Sequence, residues 1–161
     1  MFSRRNDSKT VLNPRNLPYF IELDAVVPSE ASSDQYLFHH VSPSGVGYAA
    51  YFRGTSSPST VDVHFTVVSG TDASTTSATV DKGEFIHLGF CYDTALEEKK
   101  AKILSGSEVI ATSPRFNFGS IDTSGAPLLL GSGSSLSPVV SFSPAQTFSG
   151  SIDNFRVFHK I

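Results

Sequence analysis

The sequence predicts an all-β, two-sheet antiparallel β-sandwich of the jelly-roll kind, and three observations carry that expectation. Charged residues make up only 17% of the chain, while Ser, Thr and Gly are frequent and Phe occurs 13 times. Short β-branched and aromatic runs recur between turn clusters, as they do in sandwiches. Two of these runs, 19–27 and 60–68, alternate apolar and polar side chains for several residues, so a strand there has a core face and an outer face.

The strands are taken in chain order. Residues 19–27 set Tyr19, Ile21, Leu23, Ala25 and Val27 against Phe20, Glu22, Asp24 and Val26. Residues 36–41 form a short strand that stops at the turn cluster Ser42, Pro43, Ser44, Gly45. Residues 47–53 follow and stop at Gly54. In 60–68, Val61, Val63, Phe65 and Val67 oppose Asp62, His64, Thr66 and Val68. Residues 74–80 are rich in Ser and Thr and meet a tight-turn signal at Asp81, Lys82 and Gly83. Residues 84–92 are almost continuously apolar, which suits a central strand covered on both faces. Residues 100–104 and 108–112 flank Ser105, Gly106 and Ser107 and read as a hairpin. A short strand is expected at 128–130, and a closing strand runs to Phe158 after Phe148, Ser149, Gly150 and Ser151. Residues 93–100 hold one helix-like turn, too short to stand alone. Residues 131–147, rich in Ser, Gly and Pro, read as a long surface loop, and 1–10 as an N-terminal arm.

The whole chain, 1–161, has the length of one domain. A domain of this size buries roughly 70% of its unfolded surface and folds without staples. The formal charge is −3, and no more than two basic residues are adjacent. That pattern gives no stripe for phosphate backbones, so nucleic acid is not an expected partner. Cys91 is the single cysteine, sits in an apolar run and reads as a small core residue. The first residues carry charge with no apolar stretch behind them, so no signal peptide is read there. No run approaches the roughly 18 apolar residues of a membrane span, and no membrane insertion is expected.

Five segments, in order, resemble the laminin-G-like and pentraxin-like domains of the concanavalin A-type jelly rolls. The run Tyr19-Phe20-Ile21-Glu22-Leu23 resembles that family's first long strand. The run Gly83-Glu84-Phe85-Ile86-His87-Leu88-Gly89-Phe90-Cys91-Tyr92-Asp93 is similar to its Gly-x-Trp-x-His-Val-Ala-x-x-Tyr-Asp segment, with Phe85 where the Trp stands. Lys102 through Val109 occupies the place of a strand, a tight turn and a strand, and Pro127-Leu128-Leu129-Leu130-Gly131 that of a Pro-Leu-x-Ile-Gly strand. The end, Phe148-Ser149-Gly150-Ser151-Ile152-Asp153-Asn154-Phe155-Arg156-Val157-Phe158, resembles the closing Phe-Ser-Gly-x-Ile-Asp-x-x-Arg-Val-Tyr. The chain departs from the family in having no Trp, in Ser105-Gly106 for Asn-Gly, and in a short or missing opening strand, for which only residues 2–11 remain.

The resemblance frames the candidate chemistry. Related jelly-roll glucanases place three acids on one strand, with nucleophile and acid/base about 5–5.5 Å apart. Here Glu22 and Asp24 are present, but Val26 and Val27 stand where the third acid belongs, so catalysis is not expected. Five histidines occur; His39 and His40 face opposite ways on a strand, and His64 and His87, on separate strands, could meet. None has the spacing of a zinc hydrolase, and no nucleophile elbow is present. The family implies calcium at a loop rim, bound by several oxygens. The metal candidates are Asp93 and Asp122, with Asp72 and Asp153 behind them; Asp153 also reads as ordering the closing strand. A ring-stacking ligand site draws on Tyr36, Tyr48 and Tyr51, with Arg53 on the same strand face as Tyr51.

The expected function is therefore a non-catalytic recognition or structural module that uses no obligatory cofactor, calcium being the candidate. Its expected partner is a glycan or protein surface, and neighbouring subunits if it belongs to an assembly. The missing export signal and disulfide point to a phage or viral virion surface, such as a capsid decoration or tail-fibre module. The rival is a domain of a larger cell-surface adhesin, extracellular in that case; a glycoside hydrolase is the third class.

Overall fold

A computed structural model describes residues 12–93 and 99–159, with the side chain of Asp93 outside the described set. The expected arm at 1–10 and the helix-like turn after Asp93 lie outside the described residues.

Ten strands follow one another: β1 (Tyr19–Val26), β2 (Gln35–Val41), β3 (Val46–Arg53), β4 (Thr60–Ser69), β5 (Asp72–Asp81), β6 (Phe85–Asp93), β7 (Lys100–Ser105), β8 (Glu108–Thr112), β9 (Leu129–Leu130) and β10 (Ser151–Phe158). They form two antiparallel five-stranded sheets, β10-β1-β6-β7-β8 and β5-β4-β3-β2-β9. The fold is a β-sandwich, as the alternation predicts. Sheet one is closed by the C-terminal strand, whose Phe158, Val157 and Arg156 pair with Phe20, Ile21 and Glu22.

The pattern of β1 explains the layer order. Tyr19, Ile21, Leu23 and Ala25 are fully buried, while Phe20, Glu22, Asp24 and Val26 are partly exposed on the outer face. Sheet two supplies Phe38, Phe52, Val63 and Phe65 from the other side. Phe90 of β6 ties the layers together, its ring centre 5.3 Å from that of Phe38 and 5.5 Å from that of Phe65. Each such ring removes 150–250 Å² from water, so this inner cluster dominates the burial energy.

β2 and β3 depart from simple alternation, because nearly every residue is buried. The cause is residues 131–147. Leu136 and Phe142 in this stretch are buried and pack with Tyr36, Ala49 and Tyr51 on the outer face of sheet two. The stretch read as a surface loop is thus a third layer over part of that sheet. β6 is covered on both faces only from Leu88 to Tyr92; its first residue, Phe85, is 68% exposed. The turn at Asp81, Lys82 and Gly83 carries the chain from one sheet to the other, with Gly83 N–H donating to the Val27 carbonyl.

Candidate functional site

The two sheets end unequally on one flank. β9, just Leu129 and Leu130, pairs with only Phe38 and His39 of the long β2 edge, whereas β10 runs for eight residues. The inward side chains of β10 (Ile152, Phe155 and Val157) are therefore only half-buried. Between the two edge strands lies an open cleft of about 480 Å³. Leu130, Phe148, Ile152 and Phe155 give it apolar walls, and Ser132, Thr147, Asp153 and Asn154 give it polar ones. Its ends are clasped: Gly131 N–H donates to the Leu37 carbonyl, and Phe148 N–H donates to the Gly131 carbonyl at 2.8 Å. Gly131 adopts φ 68°, and a Cβ there would sit 3.2 Å from that of Phe148, so a side chain would wedge the clasp. The cleft is shallow and open, and apolar and polar groups share its lining almost evenly.

Asn154 joins the cleft to the outer face of sheet one. The pairing of β10 with β1 shifts register between Glu22 and Asp24, and Asn154 takes φ 51° in that bulge. Asn tolerates this left-handed backbone better than other non-glycine residues. The bulge turns its amide to Asp24, to which Nδ2 donates at 2.7 Å. Asp24 Oδ1 is 2.6 Å from His87 Nδ1, and Arg156 donates to Glu22 at 3.0 Å. His87 Nε2 stands 3.8 Å from the other Glu22 oxygen. The Asn154 amide first, and His87 second, lower the Asp24 carboxyl below the usual range. Asp153 Oδ1 accepts the Asn154 backbone N–H at 2.7 Å, which fixes the bulge locally.

The tyrosines singled out from sequence are not a stacking surface. Tyr36, Tyr48 and Tyr51 are at most 1% exposed. Tyr36 and Tyr51 do share one outer face with Arg53, as alternation implies, but residues 131–147 lie on them. The Phe142 ring centre is 3.8 Å from that of Tyr51, Tyr36 donates to the Ser134 carbonyl at 2.7 Å, and Arg53 donates to the Ser141 carbonyl. Tyr48 points the other way, into the core, where its hydroxyl meets His40 Nδ1 at 2.8 Å. Burial raises the hydroxyl pKa of all three.

Asp122 is surrounded by donors rather than by further oxygen ligands. Oδ1 accepts from Asn13 Nδ2 at 2.7 Å and from the backbone N–H and hydroxyl of Ser124, and Oδ2 lies 3.9 Å from Arg15. These bonds, those of Ser124 first, hold its carboxyl at about 2. The structure thus sets hydrogen-bond donors and a guanidinium around this carboxylate. Asp93 ends β6 opposite Lys100, and its side chain lies outside the described residues. Among the described residues, no group of three or more His, Cys, Asp or Glu is placed to hold a metal ion. No helix among them is long and apolar enough to cross a membrane.

His64 and His87 do not meet. His64 lies in sheet two and stacks parallel to Tyr51 at 5.2 Å, while His87 lies in sheet one and bonds Asp24. The sequence reading passed over Leu130, Thr147, Asn154 and Phe155. One local signal for Asn154 existed, an Asn in mid-strand, the residue type that marks a bulge of positive φ.

In fold, the chain is similar to a solved structure described as the crystal structure of botulinum neurotoxin serotype C1 binding domain, with a TM-score of 0.54 and 10% sequence identity. The similarity covers 89% of this chain and 33% of that one, so this chain spans about a third of its neighbour's length. At such low identity the likeness carries the fold alone. No family model matches the sequence, and no curated protein matches it.

Proposed function

We propose that this chain is a non-catalytic recognition module of the laminin-G-like kind, and that it binds a neutral, polyhydroxylated ligand such as a glycan in the cleft between β9 and β10. The cleft carries this reading. Its apolar walls can take the C–H face of a sugar ring, and Ser132, Thr147, Asp153 and Asn154 offer hydroxyl, carboxylate and amide groups for ring hydroxyls. Asp153 is the one ionisable side chain among its lining residues, which favours a neutral ligand over a strongly charged one. The botulinum neurotoxin domain that shares the fold is named for binding, and the five laminin-G-like segments support a recognition role as well.

A glycan array identifies the ligand, and calorimetry with the best hit then compares the wild type with Asp153→Ala and Phe155→Ala. The expected outcome is a loss of at least about tenfold in affinity for each, with the fold retained by circular dichroism. An array without specific hits, or affinity unchanged in both variants, overturns the reading.

A further inference from the structure

The sandwich has four lateral edges, and they are protected unequally. β9 is two residues long. β8 has five residues and a register shift opposite Ile103 and Leu104. β10 is interrupted by the bulge at Asn154. β5 has none of these devices. Its ten residues pair with β4 from Asp81 to Asp72 without a register shift, and they include no Pro, Lys or Arg. Native sheets blunt exposed edges with short strands, bulges, Pro and Lys, so an unprotected edge is a template for another strand.

The hairpin sets which backbone groups β5 leaves open. Gly70 and Thr71 form a two-residue turn, closed by the pair Ser69 and Asp72. That pair exchanges both of its hydrogen bonds, and the pattern alternates from there. Asp72, Ser74, Thr76, Ala78 and Val80 bond to β4. Ala73, Thr75, Ser77, Thr79 and Asp81 turn N–H and C=O outward, and all five are exposed.

We infer that this edge is a self-association surface, on which β5 of a second copy pairs antiparallel about a two-fold axis through Ser77. Such an axis stands perpendicular to the sheet and keeps each outer face on the same side, so residues of like facing must oppose one another. With Ser77 on the axis, Thr75 opposes Thr79 of the second copy and Ala73 opposes its Asp81. All five outward-bonding residues then meet their counterparts: five pairs with two bonds each close ten N–H···O=C bonds. A second copy fits because the strand complements itself in this register. Small and hydroxyl side chains face each other, Thr with Thr and Ser with Ser, and such cross-strand pairs are favourable. The carboxylates of Asp72 and Asp81 are kept apart, since Asp81 falls opposite Ala73. The dimer joins two copies of sheet two into a continuous ten-stranded sheet, five strands from each copy. β5 lies on the flank opposite β9 and β10, so both clefts stay open and face outward. The inference stands on β5 alone and is independent of what the clefts bind.

Sedimentation at the highest soluble concentration tests it. The wild type is expected at twice 17.3 kDa. Two variants should return it to a single 17.3 kDa species. Ser77→Pro removes an outward N–H on the axis without costing β4 a bond. Thr75→Lys with Thr79→Lys places lysines opposite lysines. A β-type circular dichroism spectrum and a cooperative melt establish that each variant is folded, and either variant suffices. A wild type that stays at 17.3 kDa, or a dimer that survives a folded variant, overturns the inference.

Discussion

His40 Nδ1 lies 2.8 Å from the Tyr48 hydroxyl inside the sandwich, and that contact is one bond of a chain that links the imidazole to two backbone carbonyls. Nε2 faces the Ala126 carbonyl at 3.2 Å, and the Tyr48 hydroxyl faces the Leu12 carbonyl at 3.0 Å. The Leu12 carbonyl also faces the Thr123 hydroxyl at 3.4 Å, so a neutral imidazole that donates from Nε2 to Ala126 can accept from Tyr48 at Nδ1. A cationic imidazole would serve every partner, yet burial opposes the charge and pushes the His40 pKa down to about 4.

This shift makes stability depend on pH in a definite direction. The folded value lies below the ordinary value of about 6.5, so the unfolded chain binds the proton more readily. The contribution is complete above about pH 6.5 and is lost as pH falls toward about 4, by roughly 3 kcal/mol at most. Burial lowers His39 and His64 as well, so they act with the same sign. Urea unfolding midpoints should fall across this window, and His40→Gln should flatten the decline. Midpoints level with pH in the wild type would contradict the assignment.

Asn154 holds Asp24 down, and removing its amide should let Asp24 rise. Asn154→Ala takes away the first-ranked cause of the Asp24 shift and places Ala at φ 51°. The backbone strain alone should cost about 1–2 kcal/mol. Carboxyl-carbon titration by NMR should show Asp24 moving up. Because its folded pKa is depressed, the stabilisation it carries exists above the unfolded value and disappears as pH falls through the folded one. An unmoved Asp24 would show that His87 suffices.

Phe142→Ala should detach the third layer. The ring is 2% exposed and packs against Tyr36 and Tyr51, with centres 4.9 Å and 3.8 Å away. Truncating a buried Phe costs about 3–5 kcal/mol. Hydrogen exchange should rise across residues 131–147 while the inner strands keep their protection. Equal loss of protection in both would mean that the layer and the sandwich open together.

Gly150→Ala tests the bend that starts β10. A Cβ there would lie 1.9 Å from the Val26 carbonyl oxygen, which belongs to backbone and cannot swing aside. A destabilisation of roughly 1–3 kcal/mol is expected from the forced shift. A melting temperature equal to the wild type would show that the bend relaxes freely.

The strands were legible because their signal is local. β-branched and aromatic runs bounded by turn residues, two of them alternating, place nine strands within a residue or two, and the closing run read after Ser151 begins one residue earlier, at Ser151 itself. The site was not legible, for two physical reasons. In β3 the run Tyr48, Ala49, Ala50, Tyr51 and Phe52 is buried on both faces, so composition cannot tell a ring offered to solvent from one covered by a distant loop. The cover, Phe142, is some ninety positions away in a stretch whose Ser and Gly content reads as exposed. The cleft arises from a mismatch in length between β9 and β10, which never pair with each other; no window of sequence contains both.

Because Asn154 lines the cleft and also grips Asp24, the imidazole of His87 is wired to whatever happens on the far side of that amide. If the cleft takes a ligand as proposed, a single ring-carbon resonance of His87, in a chain with few other histidines, should act as a gauge of occupancy. It needs neither a dye nor a knowledge of what has arrived.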